Sequence, residues 1–102
     1  MAYIKGTTPT FIFKFYNRFD CTAPSKITLT IYVNGRVLLR KDTEDLTIEE
    51  HQISVFLSQA ETLAFPKVVK VQINMLYADN TRVATNEYEI DWAKNQLDEV
   101  MT

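Results

Sequence analysis

Glycine is almost missing from this sequence: Gly6 and Gly35 are the two in 102 residues. Phosphate-cradling loops and dinucleotide fingerprints are built on closely spaced glycines, so both are excluded. The scarcity also weighs against a small closed barrel, whose corners turn on glycine. Cys21 is the single cysteine. It cannot form an intrachain disulfide, and it is expected to be a small, partly buried apolar residue suited to a reducing compartment. His51 is the single histidine and stands in a polar turn, Glu49-Glu50-His51-Gln52. A metal site needs more nitrogen or sulfur ligands than His51 and Cys21 supply. A serine triad would have to use His51 as its base, and no nucleophile-elbow motif accompanies it.

An excess of charge of one sign is also missing. Eleven Lys and Arg against thirteen Asp and Glu leave a net charge of −2, and the basic residues are scattered. Nucleic-acid binders carry a basic stripe that neutralises phosphates, so no nucleic-acid partner is expected. No stretch approaches the roughly 20 apolar residues of a membrane span, so no membrane insertion is expected. No apolar run follows Met1, so no signal peptide is expected. The acidic residues Asp42, Glu44, Asp45, Glu49 and Glu50 lie close in sequence. They match no calcium loop, and no glycine lies among them; a solvated loop that discourages edge-to-edge association is the expectation.

What is present is alternation. Hydrophobic residues make up 46% of the chain and aromatic residues 12%, enough to fill one core. Phe11, Phe13 and Phe15 recur at every second position. So do Ile27, Leu29, Ile31 and Val33, then Ile53, Val55 and Leu57, then Val69, Val71, Ile73 and Met75. Period two is the signature of strands with one face packed and the other in water. Asn34-Gly35 tolerates positive φ at both turn positions and predicts a tight hairpin. Ser58-Gln59-Ala60-Glu61 is a capping-box sequence. It predicts a short helical turn, ended by Pro66, that shows Leu63 and Ala60 to the core. The last strand, Thr81 to Trp92, is expected to kink near Thr85-Asn86.

The expected fold is therefore all-β: an immunoglobulin-like β-sandwich of about seven antiparallel strands. One short helical turn interrupts it, and a sandwich is favoured over a barrel. Residues 1–92 form the domain. Residues 93–102 form a C-terminal tail in which Ala93, Leu97, Val100 and Met101 stand at helical spacing. A helix this short needs a docking partner, so these four residues are candidate contacts of a homo-oligomer. Tyr16, Tyr32 and Phe56 fall on faces opposite the core and are candidates for an interaction surface. Lys14, Lys26 and Lys70 are expected to blunt sheet edges.

The opening Ile4-Lys5-Gly6-Thr7-Thr8-Pro9-Thr10 precedes a Phe-rich strand and Leu46-Thr47-Ile48. Ile53-Ser54-Val55-Phe56-Leu57-Ser58-Gln59-Ala60-Glu61-Thr62-Leu63-Ala64-Phe65 comes next, then a strand from Val68 to Ile73. Over roughly residues 3 to 92 this resembles a family of small phage-associated proteins from prophages of gut Firmicutes. The strand pattern is similar to the N-terminal domain of phage baseplate upper proteins, a virion attachment module. The sequence departs from that family at Ala78-Asp79-Asn80, where an Asp-Gly turn is usual. The resemblance implies a non-catalytic structural module of a tail or baseplate, with other phage structural proteins as partners. It also implies residence in the host cytoplasm during assembly and then in the virion. It implies no cofactor and no catalytic residue. Two other readings stand beside it: a carbohydrate-binding β-sandwich using Tyr16, Tyr32 and Phe56, and a small enzyme built around His51 or the acidic residues.

Overall fold

The computed structural model describes residues 2–16 and 18–102. It is mainly β-structure, in the order β1 (Tyr3–Ile4), β2 (Thr10–Lys14), β3 (Lys26–Val33), β4 (Arg36–Asp42), a 3-10 turn (Thr43–Asp45), β5 (Leu46–Glu49), β6 (Gln52–Phe56), α1 (Gln59–Leu63), β7 (Val68–Leu76), β8 (Arg82–Ala84) and β9 (Tyr88–Ala93). Two sheets result. The larger runs β1-β9-β7-β3-β4, with β8 also paired to β7; the smaller runs β2-β6-β5.

The alternation explains what lies between them. Ile27, Leu29 and Ile31 of β3 and Val69, Val71, Ile73 and Met75 of β7 are buried, and so are Ile53 and Val55 of β6 from the other sheet. Phe11, Phe13 and Phe15 are partly buried against the same cluster. The sheets thus share one core, and the apolar residues of successive strands are used up in filling it. Trp92 closes one end. Its ring centroid lies 5.6 Å from Tyr3, 6.2 Å from Phe11 and 5.2 Å from Phe65.

The turns follow from local chemistry. Asn34 and Gly35 take φ of 50° and 77°, and Val33 pairs with Arg36 across the hairpin they make. Asn80 takes φ 68°, so the asparagine supplies the left-handed conformation that the turn requires. Asp79 Oδ1 braces that turn by accepting from the Thr81 amide at 3.0 Å and the Thr81 hydroxyl at 2.7 Å. The expected kink is real: the β8 and β9 registers on β7 differ by one residue, taken up across 85–87. There the Thr85 hydroxyl oxygen accepts from the Ile73 amide at 3.1 Å, and the Thr85 amide donates to the Ile73 carbonyl at 2.9 Å.

Five expectations are corrected. The pairing is mixed, because β1 runs parallel to β9; a two-residue strand leaves no alternation to read. The tail is not helical: residues 94–102 form neither helix nor strand. The reason is that side chains capture its backbone. Asn95 Oδ1 accepts from the Leu97 amide at 3.0 Å. Gln59 Oε1 accepts from the Met101 amide at 2.8 Å, and Gln59 Nε2 donates to the Met101 carbonyl at 3.2 Å. Ala93 belongs to β9, opposite Ile4, rather than to the tail. In α1 the buried residue is Thr62, while Ala60 is exposed. Of the three lysines, only Lys14 lies on an edge strand; Lys26 and Lys70 project from the middle of the larger sheet.

Candidate interaction surface

The three predicted aromatics do not meet. Tyr16 is 89% exposed and follows the end of β2. Tyr32 lies on the outer face of the larger sheet, and its hydroxyl donates to the Glu87 carboxylate. Phe56 is 56% exposed on the outer face of the smaller sheet. It pairs with Thr10, one step diagonally from Ile12, which is 54% exposed. Sequence reasoning missed Ile12. The signal was there: an isoleucine between Phe11 and Phe13 sits at an outward position of the alternation, where a polar residue is expected.

The predicted oligomer stripe is not assembled either. Ala93 lies in β9, and Leu97, Val100 and Met101 are exposed along an irregular segment. The acidic residues divide between the two ends of β5, with Asp42, Glu44 and Asp45 before it and Glu49 and Glu50 at its end and beyond. Four residues of strand hold the two groups roughly 13 Å apart. Asp42 accepts from the Thr28 hydroxyl at 2.9 Å and from Arg40 Nε at 3.1 Å. Those two donors, Thr28 foremost, hold its carboxyl below the usual carboxylate range. No group of three or more His, Cys, Asp or Glu among the described residues could hold a metal ion.

His51 and Cys21 are engaged in structure. His51 Nδ1 lies 2.9 Å from the Phe19 carbonyl oxygen. An oxygen acceptor requires that this nitrogen carry the proton. The Cys21 amide donates to the Glu50 carbonyl at 2.7 Å. The Cys21 side chain is buried, and burial, with Asp20 nearby, pushes its thiol pKa up. A protonated, enclosed thiol is a poor nucleophile. Both residues tie the segment after β2 to the β5–β6 turn.

Two concavities stand out among the described residues. One, of about 370 Å³, lies on the outer face of the larger sheet among Thr28, Thr30, Lys26, Arg40 and Arg82. Its cations are partly engaged: Arg40 with Asp42, and Arg82 through Nε and Nη2 with Asn74 Oδ1 at 3.1 and 3.0 Å. The other, of about 530 Å³, runs between the β2 and β9 edges and is lined by Tyr3, Phe11, Phe13, Tyr88, Glu89 and Asp91. Aromatic pairs bridge its two walls, Tyr3 to Phe11 at 4.8 Å and Phe13 to Tyr88 at 5.3 Å.

Backbone groups also face this groove. The Leu57 amide donates to the Pro9 carbonyl at 3.1 Å and the Phe15 amide to the His51 carbonyl at 2.8 Å. In an antiparallel ladder hydrogen-bonded pairs alternate. Phe11 and Phe13 therefore direct their amides and carbonyls at β6, whereas Thr10, Ile12 and Lys14 direct theirs away from it. No described strand pairs with that side of β2. On β9 the Trp92 amide donates to the Lys67 carbonyl at 2.7 Å, so by the same alternation Glu89 and Asp91 direct theirs away from β7. β1 pairs with β9 at Trp92 and Ala93; because Trp92 turns its own groups to β7, that parallel ladder engages the Asp91 carbonyl and leaves Glu89 open.

No protein-family model matches the chain, and no curated protein and no solved structure matches it. No helix among the described residues is long and apolar enough to cross a membrane.

Proposed function

We propose that this chain is a non-catalytic structural or attachment module of a phage tail or baseplate, acting by protein–protein contact, and that its two sheets form an immunoglobulin-like sandwich. The observation that carries the reading is that the two segments behind the phage resemblance interlock. The Thr62 hydroxyl accepts from the Gly6 amide at 2.8 Å and donates to the Thr7 carbonyl at 2.8 Å. Gly6 has φ +83°, and a Cβ there would lie 3.0 Å from Leu63 Cδ2. The opening motif and the Ser58–Phe65 motif are thus one structural unit.

The strand order supports the finer fold. An immunoglobulin-type domain places B, E and D in one sheet and G, F, C and C′ in the other. With β2, β6 and β5 as B, E and D, and β9, β7, β3 and β4 as G, F, C and C′, the order here is the same. Against the catalytic reading, His51 is tied to the Phe19 carbonyl and Asp42 to Thr28 and Arg40 in local structure. The glycan reading required one aromatic patch, and Tyr16, Tyr32 and Phe56 do not form one.

The test is prophage induction in the source strain, followed by mass spectrometry of purified particles and deletion of the gene. The protein is expected in particles, and its loss is expected to leave tails incomplete. Complete, infectious particles that never contain it would refute the phage role.

A further inference from the structure

We propose that the free side of β2 is a strand-addition site: an extended segment of another polypeptide, apolar at alternate positions and carrying Lys or Arg, pairs with Thr10–Lys14 and fills the groove beside β9. The inference rests on the protein-contact reading above and names the surface and the chemistry of the partner.

Three observations converge on this edge. The first is the direction of the backbone groups. Thr10, Ile12 and Lys14 of β2, with Glu89 of β9, turn amides and carbonyls toward one groove, and no described strand meets them. In the immunoglobulin-type order the first strand, A, lies beside B. Here the opening segment pairs with β9 instead, which leaves that side of β2 open. The second is apolar surface. Tyr3, Ile12 and Tyr88 remain 41–54% exposed around the groove, and Ile12 and Phe56 continue the apolar surface onto the outer face. An added strand lies about 4.8 Å from β2 and turns alternate side chains into the groove and over Ile12. The third is charge. Glu89 and Asp91 line the groove, with Lys14 the one cation of that lining among the described residues, and Glu89 also stands opposite Lys70 of β7. A long cationic side chain can lay its stem on the rings and bring its head to those carboxylates.

Charge also decides between another polypeptide and a second copy. Two copies joined through β2 would bring their Glu89 and Asp91 rims together. Like charges brought face to face at that contact disfavour the association. The edges of β4 and β5 are better protected. β4 carries Arg36, Arg40 and Lys41 and a bulge at Leu38, and β5 has four residues ending in Glu49.

The experiment uses the full chain and a bead-bound library of random decapeptides, with the tightest peptide then measured in solution. Enriched peptides are expected to alternate apolar residues and to carry Lys or Arg. The bound peptide is expected to slow amide exchange at Thr10, Ile12 and Lys14. Ile12→Pro removes an amide that points away from β6, so the ladder is kept; binding should weaken about tenfold or more while the melting transition persists. Glu89→Lys with Asp91→Lys leaves the backbone untouched and should weaken binding about fivefold. The proposal is overturned by a library with no enrichment, by wild-type affinity in both variants, or by exchange protection elsewhere. A concentration-dependent dimer abolished by Ile12→Pro would give the edge to a second copy and overturn it too. Absence from phage particles would sink the phage reading and leave this site standing; an unreactive edge would do the reverse.

Discussion

Thr62 is the one polar side chain among the described residues that is fully buried, and its hydroxyl joins Gly6 to Thr7 across 55 residues of sequence or more. Thr62→Val keeps the shape and strands both partners. It should cost about 1–3 kcal/mol in denaturant unfolding. Gly6→Ala should cost about 1–2 kcal/mol for the left-handed conformation, with Leu63 displaced in addition. If either variant unfolds like the parent, the interlock does not hold the opening segment. Glu61 makes a titratable second tie. It accepts from the Ser58 amide at 2.8 Å and pairs with Lys41 Nζ at 2.7 Å. Burial raises the pKa of its carboxyl, but the hydrogen bonds with Lys41 and Ser58 outweigh that and hold it below the ordinary value of 4.5. A carboxyl with a depressed folded pKa contributes stability that is complete above its unfolded pKa and is lost as pH falls through the folded one. Stability should therefore decline between about pH 5 and pH 3. Asp20, Asp42 and Asp79 are depressed as well and share that window. Glu61→Gln isolates its own part: the decline should become shallower, and stability at pH 7 should fall by about 1 kcal/mol. An unchanged slope would remove Glu61 from the account.

The elements divide by how much of their pairing is local. β3, β6 and β7 were legible because every second residue is apolar and the partner face is buried, so register is fixed by the side chains themselves. The Asn34-Gly35 hairpin and the Ser58 capping box were legible because a few adjacent residues determine each. β1 was not, because Tyr3 and Ile4 are strand only through β9, some ninety residues away. The C-terminal helix was misread for a related reason. Ala93, Leu97, Val100 and Met101 have helical spacing, but Gln59 and Asn95 take the backbone groups a helix would use. The groove edge was half legible: Phe11 and Phe13 were assigned inward, but that β2 would lack a neighbour on one side is a property of topology. The tail makes a prediction by its two halves. Truncation after Gln96 removes residues exposed to water and the Gln59–Met101 pair, and should cost less than about 1 kcal/mol. Truncation after Trp92 also removes the Ala93 carbonyl, which accepts from the Lys5 amide, and Asn95, which donates to the Lys5 carbonyl. It should lower the melting temperature clearly further. Equal losses from the two truncations would show that β1 is not held by β9.

The molecule as a whole measures 47 × 27 × 23 Å, with a radius of gyration of 14.5 Å, against about 13 Å for a compact chain of this length. An elongated two-sheet body buries its apolar residues between the layers and presents edges and outer faces to partners. That is why assembly is sought at an edge. One core filled by both sheets accounts for the alternation, and it leaves Ile12 apolar on the outer face. The most direct measurement is residue-resolved amide hydrogen exchange on the isolated chain. The account predicts slow exchange at Phe11 and Phe13, whose amides point at β6, and fast exchange at Thr10, Ile12 and Lys14 between and beside them. Equal protection at all five would mean that another strand already covers β2, and would contradict the open edge on which the proposed binding rests.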